Sequence, residues 1–105
     1  MSENVTMEFH LACIRGDIDK VTNLLSRKEE IDVKQLDKNH TLERAVFYED
    51  SEIVELLLKI GVNVNQKERF LGTTPLHGAC AREGNLAIAK ILLDNGARPA
   101  HFSRF

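Results

Sequence analysis

With 105 residues, 43% of them hydrophobic and 29% charged, the chain has the size and balance of one globular domain. A formal net charge of -2, spread without a basic block, disfavours a nucleic-acid or anionic-membrane surface as partner. No apolar run approaches the ~18 residues of a membrane span, and Met1-Ser2-Glu3-Asn4 lacks the basic start and apolar core of a classical secretory signal, so a cytoplasmic or nuclear protein is expected.

Past the polar start, Thr6 is placed to cap a helix over about Met7 to Arg15, with Phe9 and Ala12 facing inward. After Gly16, Asp17 can cap a second helix over about Ile18 to Arg27, and Ser26 to Glu30 lengthens its exit. Ile31 to His40 crosses to the next unit with a turn expected near Asp37-Lys38-Asn39. A helix over about Leu42 to Tyr48 carries Phe47 and Tyr48 at its C-terminal end. Glu49 stands at the following turn, where a glycine would be at ease. The next helix, Ser51 to Ile60, sets Ile53, Val54, Leu56, Leu57 and Leu58 against Glu52, Glu55 and Lys59, a strongly amphipathic pattern. Val62 to Thr73 makes a long connection. Thr74-Pro75 then starts another helix, since a threonine hydroxyl can cap an orphan amide and proline suits the first helical position. Leu76, Ala79 and Cys80 give that helix a small apolar face, and Leu86 to Asn95 forms the last helix before Gly96.

These elements repeat. Asp17 to Leu25, Asp50 to Leu58 and Asn85 to Leu93 align without a gap; each opens on a capping Asp or Asn and ends on Leu-Leu. Gly61 and Gly96 close the last two as C-terminal caps. Ala12, Ala45 and Ala79 mark the same position of the shorter helices at a period of ~33 residues.

A helix pair at that period, with Thr74-Pro75-Leu76-His77-Gly78-Ala79, Gly84 and Gly96-Ala97 in the third unit, resembles the ankyrin repeat family. Val54 to Leu58, Gly61 and Asn63-Val64-Asn65 continue the likeness in the second unit. His10-Leu11-Ala12, Gly16 and Val21 to Leu25 carry it in the first. The resemblance implies an all-α repeat solenoid of helix-turn-helix units with β-turn or hairpin fingers. It implies a single domain over 1-105, with repeats over about 5-34, 35-65 and 66-98 and a tail over 99-105. Leu42-Glu43 departs from the family's Leu-His, and Glu49 at a left-handed turn should cost on the order of 1 kcal/mol. Lys20 and Asn23, polar where later units have Ile53/Leu56 and Ile88/Ile91, suit an N-terminal capping unit. No such polar unit follows Leu86 to Asn95. Its apolar Ile88, Ile91 and Leu92 are therefore expected to need a cover: the tail through Phe102 and Phe105, a second chain, or a partner.

Two His-Cys pairs, His10/Cys13 and His77/Cys80, share a helix face at a spacing that suits a thiolate-imidazole couple or half a zinc site. Both pairs fall at one repeat position, however, and the units stack. With ~8–10 Å between packed helices, two steps of the stack separate the cysteines by roughly 20 Å, too far for a disulfide or a shared metal. No catalytic residue, cofactor or metal site is therefore expected.

What the resemblance implies is binding of a partner protein, which the chain would mask or inhibit, through fingers and inner-helix ends. Position by position these are Ile14 and Arg15, Phe47 and Tyr48, then Arg82 and Glu83, with Lys67, Arg69, Phe70, Leu71 and Thr73 from the long finger. The alternative is an assembly protein that forms a homodimer through its C-terminal repeat.

Overall fold

A computed structural model describes residues 4–68, 72–81 and 85–98. Its α-helices are α1 (Val5–Arg15), α2 (Ile18–Leu24), α3 (Val33–Lys38), α4 (Thr41–Phe47), α5 (Ser51–Lys59), α6 (Pro75–Ala81) and α7 (Leu86–Asp94), and a 3-10 segment, Leu25–Glu30, follows α2. No strand occurs among the described residues. The inner helices α1, α4 and α6 pack in sequence, as do the outer helices α2, α5 and α7, and each inner helix pairs with the outer helix after it. The architecture is thus an all-α solenoid of two layers.

Local hydrogen bonding explains where the outer helices start. The carboxylates of Asp17 and Asp50 accept from the amides of Lys20 and Ile53, and the Asn85 side chain accepts from Ile88. Each satisfies one amide that has no partner inside its helix. Thr74 does the same for His77 at the start of α6, with Pro75 as first residue.

The stacking core runs through both layers. Phe9, Leu36, Ile53, Leu57, Ile88 and Leu92 are wholly buried, each contributing roughly 1.5–3 kcal/mol of apolar transfer. Lys20 and Asn23, at the positions of Ile53 and Leu56, are exposed, so the first unit has a polar side where its successors have an apolar one.

Three expectations are corrected. The N-cap of α1 is Asn4, whose side chain accepts from Met7. Thr6 is instead the first unit's anchor for the next crossing: its hydroxyl donates to the Glu30 carbonyl and accepts from the Asp32 amide at 2.8 Å. The second helix stops at Leu24 and tightens into the 3-10 segment, broken at Arg27 (φ -115, ψ 34), rather than running on to Arg27. The segment Ile31 to His40 contains an unforeseen helix, α3, capped by Asp32 through the amides of Lys34 and Gln35 and pinned by the buried Leu36, before the expected turn, in which the His40 amide donates to the Asp37 carbonyl. The Asp32 carboxylate serves two amides that this six-residue helix leaves without an internal partner, and α1 and α4 supply the surface for Leu36.

The apolar end of the third unit also differs from expectation. Ile88 and Leu92 are buried, and Ile91 lines a groove shared with α2 and α5, so that side of α7 faces back along the stack. Among the described residues of this unit the large apolar side chains that are exposed are Leu86 (78%) and Leu93 (44%). The proposed cap, residues 99–105, lies outside the described residues.

Candidate functional site

Helix α4 presents the site. The residue before it, His40, has left-handed backbone (φ 55) and no side-chain cap bond, so the chain turns sharply from α3 into α4 and sets Asn39 and His40 beside its first turn. One and two turns on, Arg44, Phe47 and Tyr48 emerge on the exposed side. The Phe47 and Tyr48 rings meet edge to face, 5.3 Å between centroids and 82° between planes, an arrangement that suits the ring quadrupoles. They are 57% and 62% exposed, whereas Phe9 is fully buried.

These residues line a groove of about 530 Å³ with Glu43 and Glu68. Glu68 comes from the long finger, where its amide donates to the Thr73 carbonyl and its carbonyl accepts from Gly72. A second groove, about 480 Å³, lies against the same His40 and is lined by Lys38, Gln66 and Lys67.

Glu43 occupies the position that holds His10 and His77 in the other units, and it does a comparable job. His10 Nδ1 lies 2.7 Å from Thr41 Oγ1, joining the first unit to the second; Thr73 Oγ1 donates to Glu43 Oε2 at 3.5 Å, joining the second to the third. Burial pushes the Glu43 carboxyl above the ordinary carboxylate range, the nearby His40 pulls it down, the Glu68 charge raises it, and the Thr73 hydroxyl lowers it. His40 Nδ1 stands 3.6 Å from Glu43 Oε1. Asn39 Nδ2 and His40 Nδ1 are buried and make no hydrogen bond among the described residues.

Not all the expected binding residues meet here. Phe47 and Tyr48 line the first groove and Lys67 the second. Thr73 is half-buried and serves Glu43. Ile14 is half-buried and Arg15 exposed, one unit earlier at the positions of Phe47 and Tyr48, and neither lines the groove. Arg69, Phe70, Leu71, Arg82 and Glu83 lie outside the described residues. Sequence reasoning missed Lys38, Asn39, His40, Glu43 and Arg44. The signal was present in Glu43, which breaks the Leu-His pattern, but its neighbours come from the turn after the unforeseen α3, from α4 and from the later finger, which only the fold brings together.

The His-Cys pairs are not alike. Cys13 is buried, and loss of hydration pushes its thiol up to about 12, with the Asp50 charge adding to the rise; such a thiol supplies no thiolate nucleophile. Cys80 is exposed, contrary to its assignment to an apolar face. The reason is positional: Cys13 and Val46 are buried by the unit that follows theirs, α1 by α4 and α4 by α6. Among the described residues no group of three His, Cys, Asp or Glu side chains is placed to hold a metal ion, and no helix is long and apolar enough to cross a membrane.

Comparison with known proteins agrees with this architecture. A family model, Ankyrin repeats (3 copies), matches residues 9–102. Protein phosphatase 1 regulatory subunit 27 of Mus musculus is 34% identical over 84 residues, 79% of this chain and 53% of that protein. Ankyrin repeat protein nuc-2 of Neurospora crassa is 33% identical over 101 residues, 94% of this chain and 9% of that protein. The 2-5A-dependent ribonuclease of Homo sapiens is 44% identical over 66 residues, 61% of this chain and 8% of that protein. The chain thus spans about half the length of the phosphatase subunit and less than a tenth of the other two. Ankyrin repeats are general protein–protein interaction modules and, as a family, non-catalytic. With its three helix pairs, its capped outer helices and a family match over nearly its whole length, the chain belongs to the ankyrin repeat family.

Proposed function

We propose that the chain is a non-catalytic module, one domain of three repeats, that binds a partner protein through α4 and the finger behind it and thereby masks or inhibits that partner. The observation that carries this reading is the exposure of Phe47 (57%) and Tyr48 (62%) beside an open groove. Aromatic side chains are common energetic anchors of interfaces, and these two give little to the core. The free thiols of Cys13 and Cys80 suit a reducing compartment, the cytoplasm or nucleus. The net charge of -2 argues against nucleic acid as partner. The reading is tested by affinity capture and identification of partners with the wild type and with a Phe47→Ala, Tyr48→Ala double variant. Partners retained equally by both would sink it.

A second reading, self-association through the third repeat, is favoured by Leu86 and Leu93, 78% and 44% exposed and seven residues apart on one side of α7. Leu93 takes the position of Leu25 and Leu58, both packed against the core. Sedimentation velocity decides: a concentration-dependent dimer lost in Leu86→Glu, Leu93→Glu supports it, and a monomer at every concentration rejects it.

A further inference from the structure

Each unit pins its exit to a side chain near its start, and in the first two units the residues after the pin reach the core. In the first, Thr6 holds the Asp32 amide; the chain then turns into α3 and buries Leu36 against α1 and α4. In the second, the Asp37 carboxylate accepts from the Asn63 amide at 2.9 Å, the Asn63 side chain accepts from the Asn65 amide as Asp32 does from Lys34, and Val64 packs against the core. The third unit has the same pin. Asn65 Nδ2 donates to the Gly96 carbonyl at 3.1 Å and Asn65 Oδ1 accepts from the Arg98 amide at 3.0 Å, the pair of contacts that Thr6 makes with Glu30 and Asp32. Arg98 therefore leaves its unit at the point from which Asp32 leaves the first.

The place that Leu36 fills is open on α6. On α1 it lies beside His10, since the Thr41 hydroxyl that meets His10 donates to the Leu36 carbonyl, and His10 is 6% exposed. His77, at the same position of α6, is half-buried, and Cys80 and Ala81 beyond it are exposed. Among the described residues nothing takes the part of Leu36 there.

We propose that residues 99–102 close the stack by following the path of residues 33–36, with the Phe102 ring set on α6 beside His77. Phe102 stands four residues after Arg98, as Leu36 stands four after Asp32. Pro99 takes the place of Val33, the first residue of α3, where a fixed φ is suited to a helical turn and no amide is wanted. Arg98 lacks the capping carboxylate of Asp32, so the proline and the burial of the ring hold the path. The pin favours this occupant over a separate molecule: a ring tethered close by loses little freedom on docking, whereas a second chain gives up its translation and rotation. The leading side of a second copy is also unsuited, being polar at the exposed Lys20 and Asn23. Closing the stack is a role separate from partner binding at α4.

Nuclear Overhauser spectra and amide hydrogen exchange of the whole chain test this at two protein concentrations, for the wild type, Phe102→Ala, Phe102→Leu and Phe105→Ala. Cross-peaks from the Phe102 ring to His77 and its neighbours on α6 are expected at both concentrations. Phe102→Ala should speed exchange in α6 by about tenfold or more while α1 stays as it was. Phe102→Leu, which restores the residue type of Leu36, and Phe105→Ala, which lies past the docked residues, should exchange near the wild-type rate. Absence of the Phe102 cross-peaks overturns the inference whatever the exchange rates. Cross-peaks to α6 from Phe105 in place of Phe102 overturn the register. Cross-peaks between a labelled and an unlabelled copy overturn it in favour of a second chain.

Discussion

His10 Nδ1 stands 2.7 Å from Thr41 Oγ1, while that same hydroxyl lies 3.1 Å from the Leu36 carbonyl. A threonine hydroxyl has one proton, and only by giving it to Leu36 are both contacts hydrogen bonds, so the His10 ring supplies the other proton from Nδ1. The bond ties the inner helix of the first unit to the crossing into the second.

A pH dependence of stability follows. Burial foremost, and then the Arg44 guanidinium, lower the His10 pKa from its ordinary 6.5. As pH falls through that value the unfolded chain takes up a proton that the folded chain does not, so stability is fully present above it and is lost as pH drops through the folded pKa. Replacement by Gln should flatten this slope in urea titrations across mildly acidic pH. Glu43, raised above 4.5, contributes in the opposite sense: its stability is present below that value and lost as pH rises. The His10 share is thus the difference between wild type and His10→Gln; identical slopes would contradict the assignment.

The turn between α4 and α5 should tolerate improvement. Glu49 has φ 59 and sits where Gly16 (φ 73) ends α1, with matching bonds from Asp50 to the Ala45 carbonyl and from Asp17 to that of Ala12. Glu49→Gly relieves left-handed strain and should stabilise by about 1 kcal/mol, read as a higher urea midpoint. Glu49→Ala, which keeps a Cβ, should not.

The aromatic pair and the core should separate cleanly. Phe47→Ala and Tyr48→Ala, at exposed positions, should each change unfolding free energy by less than about 0.5–1 kcal/mol while weakening partner binding by about tenfold or more. Ile53→Ala, at a site with 0% exposure, should cost ~2–5 kcal/mol. Denaturation with a binding titration checks both, and a loss of stability at Phe47 equal to that at Ile53 would make it a core residue.

Thiol reactivity distinguishes the two cysteines. In the folded protein Cys80 should react with an aromatic disulfide reagent in seconds, and Cys13, buried with its thiol pushed up to about 12, only as the chain unfolds. Cys80→Ser should leave one slow thiol, and fast labelling of Cys13 would contradict its placement.

The amino-acid sequence by itself determined the repeat and the starts of α2, α5, α6 and α7, because the caps Asp17, Asp50, Asn85 and Thr74 act on amides a few residues away. It also marked Glu49 as a left-handed turn and Phe47 and Tyr48 as binding candidates. Tertiary structure decided what depends on neighbours distant in sequence. Ile31 to His40 became partly helical because α1 and α4 offer a surface for Leu36. Cys80 is exposed while Cys13 is buried, although both hold one repeat position, because burial belongs to the unit stacked next to each. The groove joins Asn39 and His40 before α4, Arg44 within it, and Glu68 on a later finger. No local spacing encodes that meeting, since it arises only when the units stack.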